Sequence, residues 1–258
     1  MSYSEYLKVP ELLELQKPLS DGPEHDEMLF IVIHQVYELW FKQQLHETDH
    51  LCRALVEDDI DSASSTIARM LTILKTMVGQ VDILETMTPV SFLSFRDFLA
   101  SASGFQSAQF REFEFLLGHK RPSPLKNYPE DSPEYAALKR RLDQPSVWRC
   151  LLQLLCARGI TVPSALLEAP AQDPIEPSEE LQQQLLLIYR EKPMLRELCE
   201  RFVDLDEGVQ EWRYRHVKMV ERTIGFKKGT GGSAGAAYLR DTLFRPLFPD
   251  LWDIRSEL

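Results

Sequence analysis

The amino-acid sequence predicts an all-α fold, a bundle of about eight to ten helices with no significant sheet. Apolar residues recur at the three- and four-residue spacing of a helix face over most of the 258-residue chain. No segment shows the alternation of a half-buried strand. Five of the 11 glycines lie within residues 225–235, so the rest of the chain is poor in this helix-weakening residue. We expect one helical domain spanning residues 1–258.

The two clearest helices of the N-terminal half follow from their apolar patterns. Residues 24–54 form the first, and it is apolar on most sides from Met28 to Ile33, which is typical of a helix at the centre of a fold. Residues 62–88 form the second, with an apolar stripe on one face. We expect Asp61 or Ser62 to cap its N-terminus.

Shorter helices and loops occupy the middle of the chain. We expect helices over residues 90–99 and 106–117, separated by the turn-forming residues Ser101–Phe105. Four prolines within residues 121–135 indicate a loop. Residues 134–158 then predict two helices with a proline between them.

The last third begins with a linker or surface loop over residues 163–179, which contain four prolines. Residues 178–225 indicate a long helix or a broken pair, with Pro193 at the break or at the first helical position. After the glycine-rich run we expect a helix over 236–244. The tail Phe248–Trp252 is interpreted as a tight turn with an aromatic anchor.

The composition argues against a nucleic-acid surface. The formal net charge is −11 and the pI is about 5.1, whereas such a surface needs a basic stripe. Basic residues cluster at Lys139–Arg141, Arg213–Lys218 and Lys227–Lys228, and we interpret each cluster as a solvated charged face. We therefore expect no nucleic-acid partner.

Neither a membrane segment nor a disulfide framework is expected. The N-terminus has no basic region followed by an apolar one, and the apolar run Met28–Ile33 is far too short to span a bilayer. None of the cysteines forms a CxxC pair, and we interpret all four as free thiols. They are Cys52, Cys150, Cys156 and Cys199. We expect a soluble, cytoplasmic protein.

One motif that zinc proteases use, His-Glu-x-x-His, occurs from His46 to His50. On a helix this spacing places two imidazoles on one face, with the glutamate as general base. Here the segment lies at the polar end of its helix, no third ligand is evident, and no strand could hold a peptide substrate. We interpret it as a solvated face, with a zinc hydrolase as the alternative.

Another histidine, His34, lies in the most apolar part of the same helix. Phe30 precedes it by one turn, and Tyr37 and Glu38 follow by one turn on its face. A lone histidine on an apolar face is usually a core residue whose polar atoms are satisfied. The spacing alone favours that interpretation.

An arginine, Arg96, stands among three phenylalanines. A buried guanidinium requires a partner. Either a protein carboxylate neutralises it, or it binds a ligand carboxylate in bidentate geometry, and both interpretations stay open. Ser103 and Gly104 follow in the turn and offer a hydroxyl and an amide.

The glycine-rich run at residues 225–235 reads Gly-Phe-Lys-Lys-Gly-Thr-Gly-Gly-Ser-Ala-Gly. Such a run adds no stability to a helical protein, but its backbone can approach a ligand closely and donate N–H groups to it. His216 lies just upstream, near the end of a predicted helix. The pair indicates a cofactor ligand beside a substrate clamp, and we expect the run to become ordered when substrate binds.

Separated motifs along nearly the whole chain together resemble the tryptophan 2,3-dioxygenase family of haem enzymes. They are Tyr3-x-x-Tyr6-Leu7, His25 to Lys42 (with Phe30-Ile-Val-Ile-His34-Gln-Val-Tyr-Glu-Leu-Trp40), Leu84-Glu-Thr-Met87, Phe95-Arg96, Ala102-Ser-Gly-Phe-Gln-Ser107, Gln109-Phe-Arg111, and Trp212-Arg-Tyr-Arg-His216 through Gly229-Thr-Gly-Gly-Ser233. Any one of them is a weak signal, whereas all of them in order are specific. The resemblance implies a helical bundle around a haem pocket.

The resemblance also implies a role for individual residues. His216 would be the proximal ligand of one haem b per subunit, ferrous when active, and His34 would accept the indole N–H on the opposite side. The other implied residues are Phe30 and Phe92 in the indole pocket, Arg96 on the substrate carboxylate, Thr230 on the carboxylate and ammonium, and Ser103 and Gly104 near the haem. Tyr3, Tyr6 and Leu7, within the N-terminal segment 1–20, would complete the pocket of a neighbouring subunit in a homotetramer.

The implied reaction cleaves the indole C2–C3 bond of L-tryptophan with O2 and gives N-formyl-L-kynurenine, the first step of tryptophan breakdown through kynurenine. Two alternatives stay open. One is a related haem oxygenase that acts on a substituted tryptophan or another aromatic amino acid. The other is a non-catalytic helical protein that binds haem or tryptophan.

Overall fold

The computed structural model describes residues 1–22, 24–100, 102, 104–225, 227, 239–240 and 243–258. Its α-helices, in chain order, are α1 (Tyr3–Leu7), α2 (Val9–Leu13), α3 (His25–Val56), α4 (Ile60–Leu84), α5 (Pro89–Phe95), α6 (Ala108–Leu116), α7 (Pro133–Asp143), α8 (Val147–Ala157), α9 (Ser164–Glu168), α10 (Glu179–Glu191), α11 (Pro193–Ile224) and α12 (Pro249–Asp253). Short 3-10 helices occupy Arg96–Leu99, Gly104–Gln106, Ser123–Asn127 and Ile254–Glu257. No strand occurs within these described ranges, and the all-α prediction is confirmed.

Three long helices, α3, α4 and α11, form the centre of the fold. Helix α4 packs along both α3 and α11, while α6 and α8 cover α3. Gly208 lets α11 approach α4 closely, because a Cβ at this position would lie 2.7 Å from Cδ1 of Leu71. A continuous core of buried apolar side chains follows, including Leu51, Ile67 and Phe202. The core holds α3 and α11 in fixed positions relative to each other.

Helix N-termini are set by short polar side chains. Asp59 accepts a hydrogen bond from Ser62 N at the start of α4, and Thr88 accepts one from Ser91 N at the start of α5. The expected cap at Asp61 or Ser62 is therefore wrong by two to three residues. The helix predicted to end at residue 88 ends at Leu84.

Most predicted elements of the remaining chain are confirmed, with four corrections. The helix over 90–99 is α-helical only to Phe95 and continues as a 3-10 helix. The loop over 121–135 contains a 3-10 helix, and the linker over 163–179 contains α9. The tail is a short helix rather than a tight turn, and most of the helix expected over 236–244 lies outside the described residues.

A buried carboxylate of α11, Asp206, holds α12 and the residues just before it against α11 through hydrogen bonds. It accepts hydrogen bonds from the backbone N–H groups of Leu247 and Phe248 and from the indole N–H of Trp252. Burial raises the pKa of Asp206, while these donors oppose that rise. The contacts hold the chain that follows the glycine-rich run against α11.

Two of the basic clusters are not simply solvated faces, which corrects that interpretation. Arg141 is buried and pairs with Asp49 and Glu112, and Arg213 is buried and pairs with Glu114. The four cysteines are free, as expected. Among the described residues, no helix combines the length and the apolar character that crossing a bilayer demands.

Candidate functional site

A single cavity brings together side chains from α3, α5, α6, α11 and the 3-10 helix after α5. Six residues singled out from the sequence line it, and they are Phe30, His34, Phe92, Arg96, Gly104 and His216. These residues are far apart in the chain. The cavity therefore unites the two histidines and the arginine that the sequence left as separate candidates.

The imidazole of His34 is held in one protonation state by its surroundings. Its Nδ1 lies 2.7 Å from the carbonyl oxygen of Phe30, one turn earlier on α3. Burial lowers the pKa of His34, so the ring is neutral at pH 7. Because a carbonyl can only accept, the single proton is on Nδ1 and Nε2 is an acceptor. His34 thus offers the cavity a hydrogen-bond acceptor.

Aromatic rings form one wall beside this acceptor. The rings of Phe30 and His34 have centroids 4.0 Å apart, and Phe92 lies 5.8 Å from Phe30. Phe95 is fully buried behind them and meets Phe92 edge to face at 5.5 Å. The arrangement suits a planar aromatic ligand that carries one hydrogen-bond donor.

His216 of α11 lines the same cavity. Trp212 lies one turn earlier, with its ring parallel to the imidazole at 5° and 5.2 Å between centroids. Burial, together with the neighbouring His34 and Arg111, lowers the pKa of His216 to about 4. The neutral imidazole is the form that binds a metal ion. His216 can therefore be the single protein ligand of an iron porphyrin.

The guanidinium of Arg96 is half-buried at the start of the 3-10 helix and lines the same cavity. Of its three neighbouring phenylalanines, Phe92 and Phe95 are buried, whereas Phe98 is exposed. Arg96 therefore stands beside two buried rings and one exposed ring. The position still allows a carboxylate of a cavity ligand to bind here.

Other predicted site residues are not brought to this cavity. Tyr3, Tyr6 and Leu7 lie on α1 with exposed fractions of 78%, 73% and 45%. Ser103 and Thr230 lie outside the described residues, as does the run 225–235 except for its first and third residues. The expected ordering of that run with substrate stays a prediction.

The His-Glu-x-x-His segment forms no metal centre with its neighbours in the part of the chain that the structure describes. His46 and His50 are exposed on α3, as the solvated-face interpretation expects. Glu47 is the exception, because it is buried and pairs with Arg69 at 3.0 Å. Its carboxylate is a structural partner of α4.

Several cavity-lining residues were not identified from the sequence as site residues. Arg111 and Glu114 of α6 and Arg213 of α11 form a charged group at the cavity wall. Arg213 precedes His216 by three residues, which places both on one helix face. This three-residue spacing could have been recognised in the sequence. The pairing of Arg213 with Glu114 was not, because 99 residues separate them.

Comparisons with known proteins agree with this geometry. A model of the family described as tryptophan 2,3-dioxygenase matches residues 1–163 and 178–258. The unmatched residues contain α9 and the proline-rich linker, which do not line the cavity.

Relatives that carry the same description cover the whole chain. One from Herpetosiphon aurantiacus is 56% identical over all of this chain and 98% of its own length. Others from Anaeromyxobacter sp. and Caulobacter vibrioides are 55% and 45% identical over all of this chain and 96% and 98% of theirs. This chain belongs to the tryptophan 2,3-dioxygenase family.

Proposed function

We propose that this protein is a haem-dependent dioxygenase that cleaves the indole C2–C3 bond of L-tryptophan with O2 and forms N-formyl-L-kynurenine. Its family membership supports this reaction. The observation that carries the proposal is a cavity lined by two neutral imidazoles, His34 and His216, with an arginine on its wall. In this role the whole chain works as one domain.

The residues around His216 fit a haem group. A neutral imidazole can bind the iron, and the parallel ring of Trp212 one turn earlier on α11 orients it. Bound haem would supply the iron chemistry that activates O2. In this proposal Gly104 and Ser103 lie near the haem edge.

The chain itself positions the substrate. His34 accepts the indole N–H through Nε2, and Phe30 and Phe92 pack against the indole ring. Arg96 binds the carboxylate of the amino acid. Thr230 supplies a further hydroxyl to the carboxylate and ammonium.

This division of roles explains how the site would select its substrate. An acceptor buried in an apolar wall is left unpaired by a ligand that has no N–H, and such a mismatch costs about 1–3 kcal/mol. The aromatic wall excludes water from the ring, while the charged end of the amino acid meets the arginine. A free aromatic amino acid satisfies both requirements.

Exposed apolar side chains of the N-terminal segment support an assembly. Tyr3, Tyr6 and Leu7 project from α1, and within the described part of this chain they do not line its own cavity. We propose that residues 1–20 reach a neighbouring subunit of a homotetramer and complete its pocket. We further propose that the enzyme works in the cytoplasm.

Labelled oxygen tests the reaction. Ferrous haem-loaded protein is mixed with L-tryptophan and ¹⁸O2, and the product mass is measured. Two labelled atoms in N-formylkynurenine are expected, whereas one labelled atom indicates single-oxygen insertion and contradicts dioxygenation. The absence of product from fully haem-loaded ferrous protein would contradict the proposed activity and favour a non-catalytic protein that binds haem or tryptophan.

The variant His216→Ala tests whether this histidine attaches the cofactor. The variant should lose stable haem binding, because it removes the only iron ligand that we propose. Retention of a full haem complement with an unchanged optical spectrum would refute the role of His216.

A further inference from the structure

A buried carboxylate, Glu114 of α6, meets three guanidinium groups. Its oxygens lie 2.5 Å from Nη1 of Arg111, 2.8 Å from Nη2 of Arg121 and 3.0 Å from Nη2 of Arg213. These cations hold the pKa of Glu114 far below its usual range, although burial opposes them. One negative charge is therefore shared by three positive ones.

The cluster leaves several donors without an acceptor. Only 4% of the Arg213 side chain is exposed, and its Nε and Nη1 atoms are buried and make no hydrogen bond to any residue that the structure describes. Nη1 of Arg121 is likewise buried and has no acceptor among the described residues. A buried charged donor without an acceptor is costly. Such a group is expected where a ligand completes the site.

The neighbouring His119 does not change this balance. Its Nδ1 lies 3.3 Å from Nη2 of Arg213, which donates to it. Burial lowers the pKa of His119 to about 4, and Arg121 and Arg213 contribute to the lowering. The ring is neutral at pH 7. Among the described members of the cluster, Glu114 and its three arginines carry a net charge of +2.

This cluster borders the cavity. Arg111, Glu114 and Arg213 all line it, and Arg213 stands one turn before His216 on the same face of α11. Arg96, the expected partner of the substrate carboxylate, belongs to a different element, the 3-10 helix after α5. The cavity thus has a second cationic position, beside the proposed iron ligand.

We propose that the buried Arg213 guanidinium, with Arg121 behind it, is a carboxylate site that binds a propionate of the haem group. This inference rests on the proposed function, because it assumes that haem occupies the cavity. Guanidinium groups donate charge-assisted hydrogen bonds to carboxylates, and Nε and Nη1 are the Arg213 nitrogens that the described residues leave without an acceptor. Arg213 thereby links haem attachment to the ion pairs of α6.

Haem and its dimethyl ester test the site without any change to the protein. Esterification removes the negative charge of both propionates and leaves the porphyrin and iron intact. Cofactor-free protein is titrated with each compound in the absence of tryptophan, and binding is followed by absorbance. Haem should bind tighter by on the order of 30-fold or more, as expected for a buried charged pair.

Two variants assign the discrimination to this residue. Arg213→Gln should lower haem affinity by a similar factor while ester affinity changes little, so that the preference for haem falls towards unity. Arg141→Gln is the matched control, since Arg141 is also buried and ion-paired but does not line the cavity. That variant should keep the wild-type ratio.

The outcomes separate this inference from the proposed function. Equal affinity of the wild type for haem and the ester overturns the carboxylate site but leaves tryptophan oxidation intact. An undiminished preference in Arg213→Gln overturns the assignment to this residue. Failure to bind either compound overturns both the inference and the proposed cofactor.

Discussion

Replacement of Glu114 with glutamine removes the negative charge that three guanidinium groups share. The side chain keeps its shape, but one of its two oxygens becomes an NH2 group that faces an arginine donor. Removing one member of a buried charged network costs about 3–5 kcal/mol, because the remaining charges lose their compensation. At this chain length the loss corresponds to a fall in Tm of on the order of 6–20 °C.

A second buried glutamate provides the control for this substitution. Glu47 is as buried as Glu114, with exposed side-chain fractions of 4% and 2%. Its cationic partner Arg69 is 61% exposed and is therefore well solvated. Glu47→Gln should cost less than about 1 kcal/mol. Comparing the two substitutions therefore separates the effect of the number of cationic partners from the effect of burying the glutamate.

Chemical unfolding of the cofactor-free proteins, followed by circular dichroism, measures both effects. The free energy of unfolding should fall by at least about 3 kcal/mol for Glu114→Gln relative to the wild type. Equal losses in the two variants would refute the reasoning, because the three arginines would then be no more dependent on Glu114 than one exposed arginine is on Glu47.

Three further predictions concern the histidines and the cavity arginine. His119 has a folded pKa of about 4 against about 6.5 when unfolded, so the unfolded state binds more protons as pH falls between these values. The contribution of His119 to the stability of the cofactor-free protein should therefore decline by about 2–3 kcal/mol from pH 7 to pH 4, and His119→Gln should reduce the overall loss by that amount in unfolding curves measured across this range. His34→Ala should lower kcat/KM for tryptophan by roughly 5- to 150-fold but affect 1-methyltryptophan much less, and equal losses would show that His34 does not accept the indole N–H. Arg96→Ala should weaken tryptophan binding by about 2–5 kcal/mol and leave tryptamine binding nearly unchanged; an unaltered tryptophan affinity would make Arg96 purely structural.

Much of the helical framework was predictable because its signals are local. The apolar periodicity of α3 and the proline at the start of α11 both lie within the elements that they define. The end of α4 was misplaced because the apolar stripe continues past Leu84, although Thr88 followed by Pro89 is itself a helix-start signal. The helix at Pro249–Asp253 was missed because Asp206, a residue of α11, holds it in place.

The features of the site also divide into those with a local signal in the sequence and those that depend on the fold. Motifs identified His34, Arg96 and His216, since each stands in a recognisable local pattern. The protonation state of His34 required the position of the Phe30 carbonyl, and the charge on the cavity wall required the packing of α6 against α11. The charge on the cavity wall does not follow from spacing, because it depends on where separate helices meet. The Phe30 carbonyl lies one turn before His34 on the same helix, but the protonation state also depends on the burial of His34 in the fold.

The groups that weaken the empty protein are those that the ligands would satisfy. In the cavity wall, Arg213 holds donors that have no acceptor among the described residues, and His34 offers Nε2 as an acceptor. A fold selected for stability alone would replace such groups with apolar ones. Haem and tryptophan would supply the missing partners, and any ligand that binds only the folded state raises its stability in proportion to its affinity. Cofactor uptake and folding stability should therefore be coupled most strongly through Arg213, since it lies between the ion pairs of α6 and the proposed iron ligand.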